Sequence, residues 1–346
     1  MSPNALEIIR RGGIIIASDT PEFSNIGQFS PTDATSNPSL VYAAVNQPEY
    51  AYLLEEAVSE AQRQIPRGTI QEKTSLASDL ILLQVGLGVL KNISGRVSIS
   101  VDPRLANDKE AILSKARSLI SLFESANIPR SRILIKIPGT YAGIHAAQIL
   151  ESNEPPIHVN ITLIFSHIQA LACAQAGLAV ISPFVGRIKD WWTSNDRSTD
   201  YSKLSLAQHP GIVLVRNIRK TYEQHGYKTQ IMAAGFRHVD ELIEFGDPHA
   251  ASGPHIVTLP PSLLEDLQRK DSSAFAARNA APGRLARRTE TFETYFTSKG
   301  PVPGGEEAYI RDITDEQIAL DKVPEGLAKF SADAERLEKI VESRFQ

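Results

Sequence analysis

The sequence of 346 residues predicts an α/β protein, namely a single (β/α)8 TIM barrel with additional helices. Eight short apolar runs alternate with longer segments of helical period, an order that favours either a closed barrel or an open doubly wound sheet. The open sheet usually has a glycine-rich phosphate turn after its first strand, whereas residues 19–22 here read DTPE. A partial G-x-G at Gly86 and Gly88 falls inside a helical pattern, so we favour the barrel.

The predicted strands are rich in β-branched residues, and several are apolar on both faces. That pattern is typical of a parallel sheet that is covered on both sides. The eight strands are Gly13–Asp19, the weaker Pro31–Thr35, Arg96–Asp102, Arg132–Ile137, His158–Ile164, Ala179–Phe184, Lys228–Ala234 and Ile256–Pro260.

The segments between these strands carry apolar residues at helical spacing. Asp108–Ala126 begins with an aspartate cap and places Ile112 and Phe123 on one face. Ser75–Leu90 begins at a plausible cap, with Asp79 close to the capping-box position. The other predicted helices are Pro48–Gln64, Tyr141–Ser152, Ser166–Ala176, Gly211–Gly226, His238–Glu244 and Ser262–Asp271.

The C-terminal third contains a glycine- and proline-rich stretch, Gly300–Gly305, which predicts a surface loop. A long charged segment, Thr314–Arg344, then predicts a C-terminal helix, so we expect residues 314–346 to pack on the barrel. The basic segment Arg278–Arg288 fits either a loop or a helix. We expect one domain over residues 1–346.

Composition excludes several classes of protein. Lysine plus arginine is 36 and aspartate plus glutamate is 40, so the formal charge of −4 argues against a nucleic-acid partner. The longest apolar runs, such as Ile161–Phe165, are far short of the roughly 20 residues that a membrane-spanning helix needs. The one cysteine, Cys173, allows no intramolecular disulfide. We therefore expect a cytoplasmic protein with no membrane partner.

Lys136 is the clearest candidate for a catalytic residue in the sequence. It lies near the end of an apolar strand, and in a barrel the carboxyl ends of the strands carry the active site. Burial lowers the pKa of a lysine, and the neutral amine attacks ketones and aldehydes to form a Schiff base. The alternative is a lysine whose amino group reaches from the strand end to solvent.

Other predicted strands also end in polar groups. Each alone is more often a helix cap, a turn residue or a surface ion pair, but together they suit a phosphorylated polyhydroxy carbonyl substrate. They are Asp19, Thr35, Asn37, Asn160, Thr162, Ser182, Arg187 and Arg237, with Phe184 on the same strand face as Ser182.

Several long motifs occur in an order that resembles the transaldolase family over nearly the whole chain. Residues 181–187 (ISPFVGR) match the family segment letter for letter. The others are residues 33–39 (DATSNPS, similar to DATTNPS), 95–102 (GRVSISVD, similar to GRVSTEVD), 132–136 (RILIK), 160–166 (NITLIFS, similar to NLTLLFS) and 327–334 (LAKFSADA).

The resemblance implies an enzyme with one barrel, no metal and no organic cofactor, and a family that is commonly dimeric. It implies that a dihydroxyacetone unit moves from a ketose phosphate to an aldose phosphate in the pentose phosphate pathway. By motif, Lys136 would form the Schiff base, Asp19 would transfer protons and Thr162 would hold the catalytic water. Substrate hydroxyls would bind Thr35, Asn37, Asn160 and Ser182, the phosphate would bind Arg187 and Arg237, and Phe184 would stand where fructose-6-phosphate aldolases place a tyrosine.

Two departures from the family pattern leave the activity open. Ser100 stands where GRVSTEVD has a glutamate that works with the threonine and the water in acid/base catalysis, and a hydroxyl cannot replace a carboxylate base. Gly235, in residues 233–237 (AAGFR), replaces a serine of the family's GASFR. Three hypotheses remain: a transaldolase that tolerates Ser100 as part of its catalytic set, a divergent Schiff-base aldolase or carbon–carbon-forming enzyme acting on a different carbonyl, and a non-catalytic sugar-phosphate-binding or structural protein.

Overall fold

Eight strands close into a barrel in chain order, β1 to β8, in a computed structural model that describes residues 3–246, 253–276 and 292–346. Neighbouring strands run parallel, as in the register that pairs Ser100 with Lys136 across β3 and β4. This confirms the (β/α)8 fold class. The predicted segment Arg278–Arg288 lies outside the described residues.

Each predicted strand is present within a few residues of its expected bounds. Every residue of β4 and β5 is buried, which explains their apolar character on both faces. The strands are β1 (Ile15–Asp19), β2 (Asp33–Thr35), β3 (Val97–Ser100), β4 (Ile133–Pro138), β5 (Val159–Ile164), β6 (Val180–Pro183), β7 (Gln230–Ala233) and β8 (Ile256–Leu259), followed by a two-stranded antiparallel pair, β9 (Phe296–Thr297) and β10 (Gly300–Pro301).

Helices follow most of the strands. They are α1 (Ala5–Arg11), α2 (Pro38–Val45), α3 (Ala51–Gln64), α4 (Ile70–Leu90), α5 (Lys109–Ser125), α6 (Tyr141–Glu151), α7 (His167–Gln175), α8 (Val185–Asn195), α9 (Pro210–His225), α10 (Val239–Gly246), α11 (Pro261–Arg269), α12 (Ser273–Ala276), α13 (Gly305–Thr314) and α14 (Gln317–Glu342). Five of these helices were not predicted from the sequence, namely α1, α2, α8, α12 and α13.

The start of α4 corrects one prediction. The helix begins at Ile70, because the Thr69 side chain accepts a hydrogen bond from the backbone of Glu72 while the Glu72 carboxylate accepts one from the backbone of Thr69. This reciprocal pair is a capping box. Asp79, which was expected near such a box, lies in the middle of the helix and binds Lys115 at 2.8 Å.

The region before the C-terminal helix also differs from expectation. Gly300–Pro301, predicted as part of a loop, forms β10 against Phe296–Thr297. Thr314 ends α13, and the C-terminal helix starts only at Gln317. The predicted C-terminal helix therefore corresponds to α14, and α13 is an additional helix that precedes it.

The chain divides into two compact units. One comprises Met1–Ala17 and Ile161–Val323, and the other comprises Ser18–Asn160 and Pro324–Gln346. In the second unit, α14 is tied to other elements by Glu338, whose carboxylate accepts from Arg104 at 2.6 Å, and by Asp333, which accepts from Ser39. That residues 1–346 form one domain stays a prediction.

The α4 helix is long and apolar enough to cross a membrane by length and composition alone. Its most apolar window is 56 % buried inside the protein, and the core helix of a soluble protein meets the same criterion. This helix does not stand out as a continuous apolar run in the sequence because polar residues interrupt it.

Candidate active site

Lys136 lies in the fully buried strand β4 and is itself only 6 % exposed. Its Nζ donates to the backbone oxygen of Ser36 at 3.2 Å. Burial lowers the pKa of the Lys136 amino group, while the charge of Asp19 acts in the opposite direction. The net effect favours the neutral amine, which is the nucleophilic form.

Asp19 is the last residue of β1 and stands in the electrostatic field of Lys136. Its Oδ1 accepts a hydrogen bond of 2.7 Å from the hydroxyl of Thr35, at the end of β2. Thr35 is 1 % exposed, so its packing fixes the direction of this hydroxyl. The pair places an oriented carboxylate near the amine.

Two asparagines of the same unit are held differently. Asn37 has extended backbone geometry, as expected before Pro38, and its Oδ1 accepts from the backbone N–H of Leu40 at 3.0 Å, so it caps α2. Asn160 is fully buried in β5, and its Nδ2 donates to the Ser98 hydroxyl at 3.1 Å. In Asn37, the cap leaves Nδ2 as the group able to donate to a ligand.

Ser100 ends β3 and lies directly across from Lys136 in the register of the sheet. It also lines a cavity of about 100 Å³ in the second unit, together with Ser36 and Asn37. The carboxylates that line the cavity are all ion-paired: Asp79 with Lys115, and Asp102 and Glu338 with Arg104. None of these carboxylates is therefore available as an unpaired base beside Ser100.

Thr162 also lies in the buried strand β5, but it belongs to the first unit. It is 5 % exposed, and within the described residues its Oγ1 has no hydrogen-bonding partner. An unpartnered buried hydroxyl is unfavourable unless a water or ligand satisfies it. The next residue, Leu163, has a φ of 60°, which is unusual for a residue with a bulky side chain.

The end of β6 carries three of the candidate residues. Ser182 is 1 % exposed, and the Phe184 backbone N–H donates to Ile164 at 3.2 Å. The Arg187 guanidinium lies 5.3 Å from the centre of the Phe184 ring. This cation–π contact orients the arginine from the first turn of α8.

Arg237 follows β7 and is exposed. Its Nη2 and Nε donate to Asp190 Oδ2 at 2.7 and 3.2 Å, so the guanidinium already holds one carboxylate. Gly235, two residues earlier, has a φ of 67°, and a Cβ there would lie 3.2 Å from the Phe184 ring. Glycine is the residue best suited to that conformation.

A buried histidine–glutamate pair fixes the backbone around Arg237. Glu241 is 1 % exposed and accepts from the backbone N–H of Arg237 at 2.8 Å, while its other oxygen lies 3.2 Å from His209 Nε2. The His209 Nδ1 accepts from Gly211 and Ile212 at the start of α9. Burial opposes the charge of Glu241, but these partners outweigh it, so the pKa of Glu241 lies below its usual range.

The chain is similar to known proteins over nearly its whole length. A family model described as Transaldolase/Fructose-6-phosphate aldolase matches residues 16–341. Transaldolase of Kluyveromyces lactis is 37 % identical over 343 residues, covering 99 % of this chain and 96 % of the relative. Transaldolase 1 of Pectobacterium atrosepticum is 39 % identical over 341 residues (99 % of each), and Transaldolase B of Pasteurella multocida is 39 % identical over 336 residues (96 % and 98 %).

The chain belongs to the transaldolase family. This confirms the resemblance that the motifs carry. Of the transaldolase candidates, the second unit holds Lys136, Asp19, Thr35, Asn37, Asn160 and Ser100, and the first unit holds Thr162, Ser182, Phe184, Arg187 and Arg237.

The residues that hold the candidates in place in this transaldolase-family chain were not predicted from its sequence. Asp190 binds the Arg237 side chain, and Glu241 binds its backbone. Gln169 binds the strand end that follows Thr162. Each lies on a helix whose sequence gives no local sign of these contacts.

The structure gives no sign of a metal centre in the part of the chain that it describes. Residues 3–246, 253–276 and 292–346 contain no group of three or more histidine, cysteine, aspartate or glutamate side chains arranged to hold an ion. The expected absence of metal and organic cofactors stays a prediction.

Proposed function

We propose that this chain is a transaldolase, a transferase that moves a dihydroxyacetone unit from a ketose phosphate to an aldose phosphate through a Schiff base on Lys136. The observation that carries the proposal is the buried lysine with a lowered pKa in the field of an oriented carboxylate, Asp19. Family membership supports the choice of reaction.

In the first step, the neutral Lys136 amine attacks the carbonyl carbon of the ketose, and the carbonyl oxygen takes up one proton from the attacking nitrogen and a second from solvent. Loss of that oxygen as water leaves a protonated imine. A low-dielectric site favours this sequence because the free amine is available without a strong external base.

Cleavage then needs a base at the hydroxyl carried by the carbon that lies two bonds from the imine carbon. Asp19 accepts that proton, the carbon–carbon bond breaks, and its electron pair neutralises the imine to an enamine. The shortened aldose phosphate leaves. An acceptor aldose phosphate enters, the enamine carbon attacks its aldehyde, and Asp19 returns the proton to the new hydroxyl. Water finally hydrolyses the imine.

The remaining candidates bind and orient the substrate in this proposal. Arg187 and Arg237 take the phosphate, for which guanidinium groups provide bidentate hydrogen bonds. The unpartnered Oγ1 of Thr162 suits a water molecule used in forming and hydrolysing the imine. Thr35, Asn37, Asn160 and Ser182 supply polar groups for the sugar hydroxyls, and Phe184 is a further substrate-binding candidate.

Because Ser100 provides no carboxylate, we expect proton transfer to be slow in this enzyme. A positioned acid/base group typically contributes about 10²–10⁴-fold to a rate. Water and Asp19 must then carry the transfers that the family assigns to the glutamate. We expect slower turnover than a chain with a carboxylate at this position.

A divergent Schiff-base aldolase acting on a different carbonyl is the second candidate. Two observations favour it: Gly235 has lost the hydroxyl of the family's serine, and a cavity of about 100 Å³ adjoins Ser100. Such an enzyme would form the lysine adduct but use sugar phosphates poorly as donors.

The finer features of the proposal are the cytoplasmic location, the pentose phosphate pathway as its setting and a homodimeric assembly. They derive from the composition and from the family. Sedimentation of the purified protein tests the assembly directly, since a monomer of 37.9 kDa would exclude the dimer.

The deciding experiment is borohydride trapping followed by mass spectrometry, over a panel of phosphorylated and unphosphorylated ketones. We expect an adduct on Lys136, with Lys115 unmodified as the internal control because Asp79 holds its ammonium at 2.8 Å. The trapping rate should rise with pH and level off below the ordinary lysine value of 10.5, because only the neutral amine reacts.

Turnover with fructose 6-phosphate and erythrose 4-phosphate completes the test, with Lys136→Ala as the blank. Wild-type turnover no faster than this blank would refute the transaldolase proposal. An adduct with unphosphorylated ketones that forms faster than with sugar phosphates would favour the divergent aldolase.

A further inference from the structure

We infer that Gln169 is a positioning residue for Thr162, because its side-chain amide holds the end of β5 in the conformation that presents the Thr162 hydroxyl. The inference rests on the proposed function, in which Thr162 binds the reactive water.

The backbone at Leu163 is strained. Its φ of 60° lies in the left-handed region, where the Cβ of an L-residue crowds the following carbonyl oxygen. Leu163 is fully buried in β5 and directly follows Thr162. Such a conformation persists only where the surrounding structure enforces it, and these positions cluster at functional sites.

The Gln169 side chain supplies that restraint from the first turns of α7. Its Nε2 donates to the Leu163 carbonyl at 3.1 Å, and its Oε1 accepts from the Phe165 N–H at 2.9 Å. Only one orientation of the amide satisfies both a carbonyl and an N–H, so the chemistry fixes the assignment. One side chain thus binds the residue on each side of Ile164.

The restraint is itself rigid. Gln169 is 1 % exposed, and its backbone N–H donates to the Ser166 side chain that caps α7, at 3.2 Å. The two hydrogen bonds of the Gln169 side chain form a clamp on the end of β5. The clamp is anchored in the turn that connects β5 to α7. A buried glutamine with both ends of its amide bound loses little further entropy when substrate arrives.

The consequence for Thr162 follows from the peptide group that it shares with Leu163. Without the clamp, Leu163 can relax toward ordinary strand geometry, which rotates that peptide group and moves the hydroxyl. No protein partner within the described residues holds Thr162 Oγ1, so the backbone sets its direction. A displacement of about 1 Å in a catalytic arrangement can reduce a rate about 10²-fold.

Two variants test the inference in the full-length enzyme. Gln169→Glu keeps an acceptor for Phe165 but replaces the donor toward Leu163 with an oxygen, whereas Gln169→Leu removes both. At pH 8 we expect kcat to fall at least tenfold in each, equivalent to about 1.4 kcal/mol, while KM for fructose 6-phosphate stays within twofold.

The pH profile separates positioning from loss of packing. A protonated glutamate regains a donor, and burial raises the pKa of such a carboxyl. The ratio of kcat in Gln169→Glu to kcat in wild type should therefore recover as the pH falls. Gln169→Leu has no titrating group and should show a constant loss.

Gln175 offers a matched control on the same helix. Its Oε1 accepts from the Tyr295 N–H and its Nε2 donates to the Glu293 carbonyl, both at 2.8 Å, so it makes the same kind of clamp on another segment. Gln175→Glu replaces the side-chain amide nitrogen with an oxygen, as Gln169→Glu does. We expect it to lower the thermal unfolding midpoint and to leave kcat unchanged.

The outcomes distinguish the inference from the proposed function. If Gln169→Glu retains wild-type kcat at pH 8 while Thr162→Ala loses at least tenfold, the inference is wrong and the proposed function stands. If Thr162→Ala and Lys136→Ala both keep wild-type activity, the proposed function itself is wrong. Equal losses of kcat in Gln169→Glu and Gln175→Glu would also overturn the inference. If the Gln169→Leu protein does not fold, the comparison of kcat between Gln169→Glu and Gln175→Glu decides the question.

Discussion

Introducing a carboxylate at position 100 should accelerate this enzyme. Ser100 is half-buried at the end of β3, opposite Lys136 in the register, and borders a cavity of about 100 Å³. A water molecule occupies about 30 Å³ in the liquid, so the longer side chain of Ser100→Glu has room to extend. The variant would add an acid/base group beside a cavity whose lining carboxylates, Asp79, Asp102 and Glu338, are all ion-paired.

The magnitude is the balance of two effects. A positioned acid/base group contributes about 10²–10⁴-fold, or about 2.7–5.4 kcal/mol of barrier. Against this, a second negative charge near Lys136 raises the pKa of the amine and lowers the fraction that is neutral. We therefore expect a net gain in kcat of about tenfold to 10³-fold, with the optimum displaced to higher pH.

The assay measures transfer from fructose 6-phosphate to erythrose 4-phosphate across pH 6 to 10. Ser100→Gln is the control, since it has nearly the shape of glutamate but no carboxylate to accept a proton. If Ser100→Glu is no faster than Ser100→Gln at any pH, while both still trap ketone on Lys136, a missing carboxylate does not limit this enzyme.

Three further predictions concern the phosphate-binding candidates. Gly235→Ser should reduce the free energy of unfolding in urea by roughly 1–2 kcal/mol, because its φ of 67° disfavours a side chain and the new Cβ meets Phe184; an unchanged midpoint would contradict this. Glu241→Gln should raise KM for fructose 6-phosphate about tenfold through loss of a charged hydrogen bond to the Arg237 backbone, and an equal rise for an unphosphorylated ketone would show that phosphate binding is not the cause. Asp190→Asn should lower the same KM severalfold at low salt by releasing the guanidinium, with the gain disappearing in high salt, and a raised KM would mean that Asp190 orients Arg237 instead.

Most strands were predictable because they are short buried runs rich in β-branched residues, a composition typical of a parallel sheet that is covered on both faces. The β2 strand (Asp33–Thr35) shows this pattern only weakly. The starts of the helices were harder to predict from the sequence. Thr69 and Glu72 form the capping box of α4, but they stand in a polar stretch before the apolar period begins, so the start was placed at Ser75. The α8 helix was missed because it begins directly after β6, with no capping side chain to mark it.

In the site, too, features set by neighbouring residues in the sequence were predictable, whereas contacts between distant residues were not. A lysine at the end of an apolar strand is visible in the sequence, and the structure buries Lys136 there. The contacts of Gln169, Glu241 and Asp190 join different elements, so no local pattern reveals them. The left-handed backbone of Leu163 is likewise set by its surroundings, since leucine has no preference for it.

The charge of the residue at position 100 affects the pKa of the buried Lys136 amine. A carboxylate opposite Lys136 would act in the same sense as Asp19, which raises the pKa of the amine against the effect of burial. Serine carries no charge, so it leaves Asp19 as the one carboxylate whose field is resolved at Lys136 in the described residues. The same substitution that removes a proton-transfer group therefore keeps a larger fraction of the lysine neutral. In the proposed mechanism, Schiff-base formation is favoured while the later proton transfers are slowed, so we expect the covalent imine to accumulate during turnover.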